Sequence, residues 1–197
     1  MTHLVPALPA FLARHPRLHL DLHLANRFVD LIEERYDLAI RIGTLRDSRL
    51  VARRLGPNRR RLAASGEYLQ RHPAPRQPRE LAQHACLVLD IGDYPERWEL
   101  SRRGAVEQVA VQGPLRSNNA LALLDACERD VGIALLPAFM LDMEIAAGRL
   151  QAVLPAWATQ EQGIYAIYPG YRFIPAKVRA LVDFYAEKLG GLGHESK

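Results

Sequence analysis

The sequence predicts an α/β protein in two lobes, and three observations carry that expectation. Apolar residues run at helical spacing and then alternate like a strand within residues 4–24. The same helix-then-strand order returns within residues 119–136, as a second lobe of similar build would require. Between them, a β-α-β pattern spans 18–43. A chain of 197 residues, 49% apolar and 24% charged, has the length and composition to bury cores in two small lobes. The 26 basic residues exceed the 22 acidic ones by only four, too small an excess to imply a polyanionic partner.

Cys86 and Cys127 form neither a Cys-x-x-Cys pair nor a dense framework, which reads as two buried, reduced thiols of a cytoplasmic protein. Met1 to Pro6 carries no basic segment ahead of a long apolar run, and no stretch reaches bilayer-spanning length. Secretion and membrane insertion are therefore not expected.

Leu4, Val5, Leu8, Phe11 and Leu12 give a helix over 4–14, ended by His15-Pro16 because proline disfavours helix in the residue before it. Leu18, Leu20, Leu22 and Leu24 alternate with His19, Asp21 and His23, the period of a strand with one apolar face. Asn26 can cap a helix over 27–35 with Phe28, Leu31 and Ile32 inward, and 38–43 reads as a buried strand. Residues 51–55 and 60–64 are extended runs around a Gly56-Pro57-Asn58 turn, followed by a short helix at 67–71 and a proline-rich connection at 72–78.

Strand 85–89 comes next, then a hairpin of 98–102 and 106–112 across Arg103-Gly104. Ser117-Asn118-Asn119 caps a helix to about 129, 131–136 is a strand, and Pro137 opens a helix ending at Gly148. Strand 164–168 and an amphipathic helix 175–189 precede a tail, 190–197, expected to be disordered.

Several ordered segments resemble the effector-binding (substrate-binding) domain of LysR-type transcriptional regulators. Residues 8–16, 37–43 and 50–55 resemble the first lobe of that domain; Ser117-Asn118-Asn119 with 132–137 resembles the second; 165–169 and 175–184 resemble the return segment and closing helix. The resemblance implies a two-lobed periplasmic-binding-protein-like (type 2) fold with a ligand cleft between the lobes. Lobe I would comprise 1–84 and 163–197, and lobe II 85–162. It further implies a bacterial, cytoplasmic, homodimeric sensor of a small-molecule effector that touches operator DNA only through an N-terminal winged helix-turn-helix absent from these residues. The family's first strand, which lies between 18–24 and 38–43, is missing from this chain as well. No cofactor is implied.

In such a fold three helix N-termini would face the cleft, at Thr2-His3, Asn26-Arg27 and Ser117-Asn118-Asn119, and unpaired amides there attract anions. Arg41, Gly43 and Thr44 end a strand directed to the same place. These ten residues form the candidate site for a small anion, a carboxylate being the simplest case, with Asn118 or Asn119 serving merely as caps as the competing reading. The dimer interface would use Leu4, Leu8, Phe11, Leu12, His19, Asp21 and His23 against Leu121 and Leu124 of a partner.

Two functions from other classes compete. A solute-binding component of a transport system would share the architecture, but no signal peptide is seen. A metal-dependent hydrolase would use His19, Asp21 and His23; side chains two apart on a strand project in parallel about 6–7 Å apart, a poor match to tetrahedral convergence. Arg53, Arg54, Arg59, Arg60 and Arg61 form the densest basic cluster, but alternating faces and the lack of interleaved aromatics favour solvated strand faces over a nucleic-acid patch. Ser65 and Ser117 lie in no nucleophile-elbow pattern and no phosphate loop occurs, so the chain is not expected to be an enzyme.

Overall fold

The computed structural model describes residues 4–25, 29–43, 50–90, 97–170 and 174–190. The chain divides into two compact units, residues 1–58 with 161–197 and residues 59–160. The boundary read from the sequence, 84/85, is displaced to 58/59 because residues 60–64 pair with strands of the second unit.

In the first unit, helix α1 (Leu4–Arg14) forms as expected, with Pro9 inside it and Phe11 buried. Strands β1 (Ala39–Gly43), β2 (Leu50–Asn58) and, from the far end of the chain, β10 (Gln162–Pro169) make an antiparallel sheet in the order β1-β10-β2. Helix α5 (Ala176–Gly190) packs Val178, Val182, Phe184, Tyr185 and Leu189 into the core with Phe11, Leu55, Ile164 and Tyr168. The Tyr185 hydroxyl donates to the Leu4 carbonyl at 2.8 Å, tying α5 to α1, and burial pushes that phenol up to about 12.

Three expectations fail in this unit. Residues 18–24 form no strand, since a strand needs a hydrogen-bonded neighbour and none pairs with them among the described residues. Leu18 reaches the core, whereas Leu22 and Leu24 remain 51% and 58% exposed. No α-helix occupies the described part of 27–35. Asp30 instead caps a single turn, its Oδ1 accepting from the Ile32 and Glu33 amides, and the turn closes where Arg35 takes φ +57° and Tyr36 N donates to the Leu31 carbonyl. Ile32, read as inward, is exposed.

Gly56-Pro57-Asn58 is not a turn but the end of β2. A side chain at Gly56 would sit 2.6 Å from the Leu189 carbonyl oxygen, so glycine lets the strand lie against α5, and Pro57 is tolerated because β2 is an edge strand.

The second unit is built on a five-stranded sheet of β3 (Arg60–Ala64), β4 (Cys86–Leu89), β7 (Arg116–Ser117), β8 (Ile133–Pro137) and β9 (Gln151–Val153), ordered β7-β4-β8-β3-β9. Alternate residues go to opposite cores. Leu62, Ala64, Cys86, Val88, Ile133 and Leu135 face the hairpin β5 (Arg97–Arg102) with β6 (Ala105–Ala110), and helix α2 (Gly66–Arg71). Ala63, Leu87, Leu89, Ala134 and Leu136 face α3 (Ala120–Glu128) and α4 (Ala138–Ala146). A sheet covered on both sides explains why these strands read as unbroken apolar runs.

The hairpin turns at Arg103 and Gly104, both at positive φ (+50° and +84°), as a primed two-residue turn requires. A 3₁₀ turn at Pro78–Gln83, absent from the sequence reading, follows the proline-rich connection.

Candidate functional site

Of the ten residues expected at the anion site, Thr2, His3, Asn26, Arg27 and Thr44 lie outside the described residues. The tail beyond 190 does too. Arg41 and Gly43 sit on β1 in the first unit. The Arg41 side chain is part-buried, with Nη2 donating to the Val29 carbonyl at 3.0 Å, while Gly43 has φ +130° and nothing within 4 Å of where a side-chain carbon would stand.

Ser117, Asn118 and Asn119 are brought together at the start of α3 in the second unit. Asn119 is the cap, its Oδ1 accepting from Leu121 N at 2.9 Å, and its own amide donates to the Ser117 hydroxyl at 3.0 Å. Asn118 is exposed and, among the described residues, makes no hydrogen bond, so of the three it alone keeps a free amide side chain. The capping reading thus applies to Asn119 and not to Asn118.

His19, Asp21 and His23 are exposed, and His23 lies edge-on to Tyr36 at 5.5 Å. No group of three His, Cys, Asp or Glu among the described residues could hold a metal. In α1, Phe11 is 1% exposed, between His15 and Phe184, so this expected interface residue is core. Leu4, Leu8 and Leu12 are partly covered from within their own unit. Val5 on α1 and Leu121 on α3 are exposed, at 37% and 41%, and Leu124 is half-buried against the core.

The basic cluster is largely matched by acids on neighbouring elements. Arg53 pairs with Asp183, Arg54 with Glu161 at 2.8 Å and Arg61 with Asp142 at 3.1 Å. All are solvent-facing pairs, worth little in stability but enough to cancel a continuous positive face.

Cys86 and Cys127 are free and buried, donating to the Leu81 and Ala63 carbonyls at 3.5 and 3.3 Å. Burial pushes both thiols up to about 12, which removes the thiolate needed for nucleophilic or redox chemistry at neutral pH.

Two clusters escaped the sequence reading because each is completed by a residue from a distant element, His84 in one and Glu128 in the other. Tyr68, His72 and His84 meet in the second unit. Glu128 meets Glu144, with Arg149 reaching both; burial and the Glu144 carboxyl hold the Glu128 carboxyl above its ordinary range.

The sequence profile of the LysR substrate binding domain matches residues 1–190. A regulator of the helix-turn-helix type from Haemophilus influenzae is 35% identical over 178 residues, which cover 90% of this chain and 62% of the relative. The regulator PtxR of Pseudomonas aeruginosa is 35% identical over 188 residues, 95% of this chain and 60% of its own. This chain therefore spans about three-fifths of the length of these relatives. Among solved structures, the regulatory domain of CrgA, a LysR-type transcriptional regulator from Neisseria meningitidis, superposes with a TM-score of 0.84 at 31% identity, over 96% of this chain and 93% of that one. The expected α/β fold of the periplasmic-binding-protein type is the fold of these neighbours. On the profile match and the identity together, the chain belongs to the LysR substrate-binding-domain family.

Proposed function

We propose that this chain is the effector-sensing part of a LysR-type transcription regulator that takes up a small anionic metabolite and pairs with a second copy of itself. Operator DNA is then read by a part of the protein outside these residues. The observation that carries the reading is the family match over residues 1–190, against relatives that are helix-turn-helix regulators. Two further features support it. Pairing of Arg53, Arg54 and Arg61 with acids breaks up the densest basic cluster, and burial keeps Cys86 and Cys127 as thiols.

For the anion we assign Asn118, in the second unit. Asn118 is the uncommitted member of the trio at the start of α3, beside the capping Asn119 and the Ser117 hydroxyl that accepts from it.

Replacing Asn118 by alanine removes nothing that holds the fold together, so its melting temperature is expected to stay within about 1 °C of wild type. Losing a hydrogen bond to a charged ligand weakens affinity by about tenfold or more. Arg41→Ala, in contrast, is expected to lower the melting temperature slightly, because the Val29 carbonyl loses its donor. Calorimetric titration with whichever small mono- or dicarboxylate binds wild type, paired with melts, separates the two effects. Unchanged affinity in a folded Asn118→Ala variant removes that residue from the site.

A further inference from the structure

The second unit contains a buried phenol held between two histidines, and the hydrogen-bond geometry assigns each proton. Tyr68 enters the core because Ser65 caps α2, its hydroxyl accepting from Tyr68 N at 3.1 Å. The side chain is 2% exposed, packed among Leu62, Leu81, Cys86 and Val88. Its hydroxyl oxygen accepts from Ala85 N at 3.1 Å and lies 3.2 Å from Nδ1 of His84.

Since the Ala85 amide can only donate, the phenol hydrogen has one direction left, toward His84 Nδ1. That nitrogen must be unprotonated to receive it, which places the hydrogen of His84 on Nε2. His72 has the opposite arrangement. Its ring stacks on Tyr68 at 4.5 Å and its Nδ1 lies 3.3 Å from the Tyr68 carbonyl, an acceptor, so Nδ1 carries the hydrogen.

We propose that the Tyr68–His84 hydrogen bond is a proton-operated latch that fastens α2 to the head of β4 and opens as the surroundings turn acidic. Protonating Nδ1 would set two donors, His84 and Ala85, on one phenol oxygen and leave the buried phenol hydrogen without an acceptor. A buried polar group left unpaired is costly. The latch lies where it affects the sheet, because the adjacent Ala85 carbonyl accepts from Ile133 N at 2.8 Å at the start of β8 and Cys86 N donates to the Gln112 carbonyl at 2.9 Å. Protons can reach it through an open cavity of about 440 Å³ lined by His84, Ala85, Gln83, Gln112 and Gly113.

The groups acting on His84 favour the neutral ring. Burial lowers its proton affinity most, and the positive charge available to His72 lowers it further, while Glu80 on the 3₁₀ turn opposes them. From β4, Cys86 faces Tyr68 rather than His84, and burial raises the Tyr68 phenol so that it stays a donor across the range. Gln112 and Gly113 bring no charge.

The direction of the pH effect follows. Above the ordinary histidine value of about 6.5, His84 is neutral folded or unfolded and the latch contributes fully. As pH falls below that value the unfolded chain takes the proton first, so stability is lost until pH passes the lower, folded-state value.

The test uses the whole chain and needs no ligand. Histidine ring and backbone amide NMR shifts followed from pH 8 to 5 should show His84 titrating below the ordinary histidine range, with the Ala85 amide moving at the same midpoint. His84→Asn keeps an acceptor for the phenol at the position of Nδ1 but cannot titrate. Between pH 7.5 and 5.5 its melting temperature should fall about 2–4 °C less than that of wild type. Tyr68→Phe should be less stable at pH 7.5 and lose the same pH-dependent component. Equal pH dependence in wild type and His84→Asn overturns the latch. So does a His84 midpoint at or above the ordinary value, or an Ala85 amide that ignores the titration, and these wild-type readings decide the matter even if a variant fails to fold.

Discussion

Gly132→Ala is expected to cost about 3 kcal/mol or more and to lower the melting temperature by about 6–12 °C. Gly132 precedes β8 and runs against Ala85, whose carbonyl accepts from Ile133 N. A Cβ at this position would fall onto the Ala85 carbonyl, 2.9 Å from its carbon atom and 3.2 Å from the Ala85 side chain. Neither β4 nor β8 can retreat: both are buried on two faces, with Cys86 and Ile133 in one core and Leu87 and Ala134 in the other. Relief would have to come by breaking the β4–β8 pairing at the centre of the sheet.

Gly148 provides the contrast. Its φ is +75° and nothing lies within 4 Å of an added carbon, so Gly148→Ala should cost only about 1 kcal/mol of backbone strain. Both tryptophans, Trp98 and Trp157, belong to the second unit, so urea denaturation followed by fluorescence reports on that unit. Equal midpoints for the two variants would show that the approach of Gly132 to Ala85 is not a tight one.

The second large effect concerns association. Val5 on α1 and Leu121 on α3 are exposed apolar residues on the two helices we propose to meet across a twofold axis. Leu121→Glu places a charge where it is tolerated in the isolated chain but desolvated in the dimer, and is expected to weaken dimerisation by about 100-fold. Phe11 and Leu124 are unsuitable for this test, since a charge at either would enter a core. Val106→Glu on the β5–β6 hairpin, at a residue 58% exposed, should leave dimerisation unchanged. Sedimentation across a dilution series, with circular dichroism to verify folding, reads the outcome. A folded wild-type monomer at micromolar concentration contradicts the proposal.

Periodicity was a good guide to elements wherever each had its partner. Helix 4–14, the hairpin, the Asn119-capped helix and the strands of the second unit all follow from spacing, caps and turn residues. It failed where the outcome depended on a neighbour that local sequence does not encode. The leucine alternation of 18–24 describes a competent strand, yet a strand exists only through the ladder beside it. Gly56-Pro57 carries turn chemistry, but packing against Leu189 and an edge position made it strand.

The candidate site was legible only in part. Spacing located Ser117 to Asn119 and their cap, but could not tell which amide would remain free, because that depends on the hydrogen bonds of Leu121 and Asn119. The Tyr68–His84 pairing, sixteen residues apart across the 3₁₀ turn, had no sequence signature at all.

Isothermal titration of the wild-type chain with a panel of small mono- and dicarboxylates asks most directly whether this chain senses a small anion. Saturable binding of at least one member with one site per chain is expected, accompanied by a rise in melting temperature that grows with ligand concentration. A panel that neither binds nor stabilises the folded chain, while uncharged analogues of the same size do both, would contradict it.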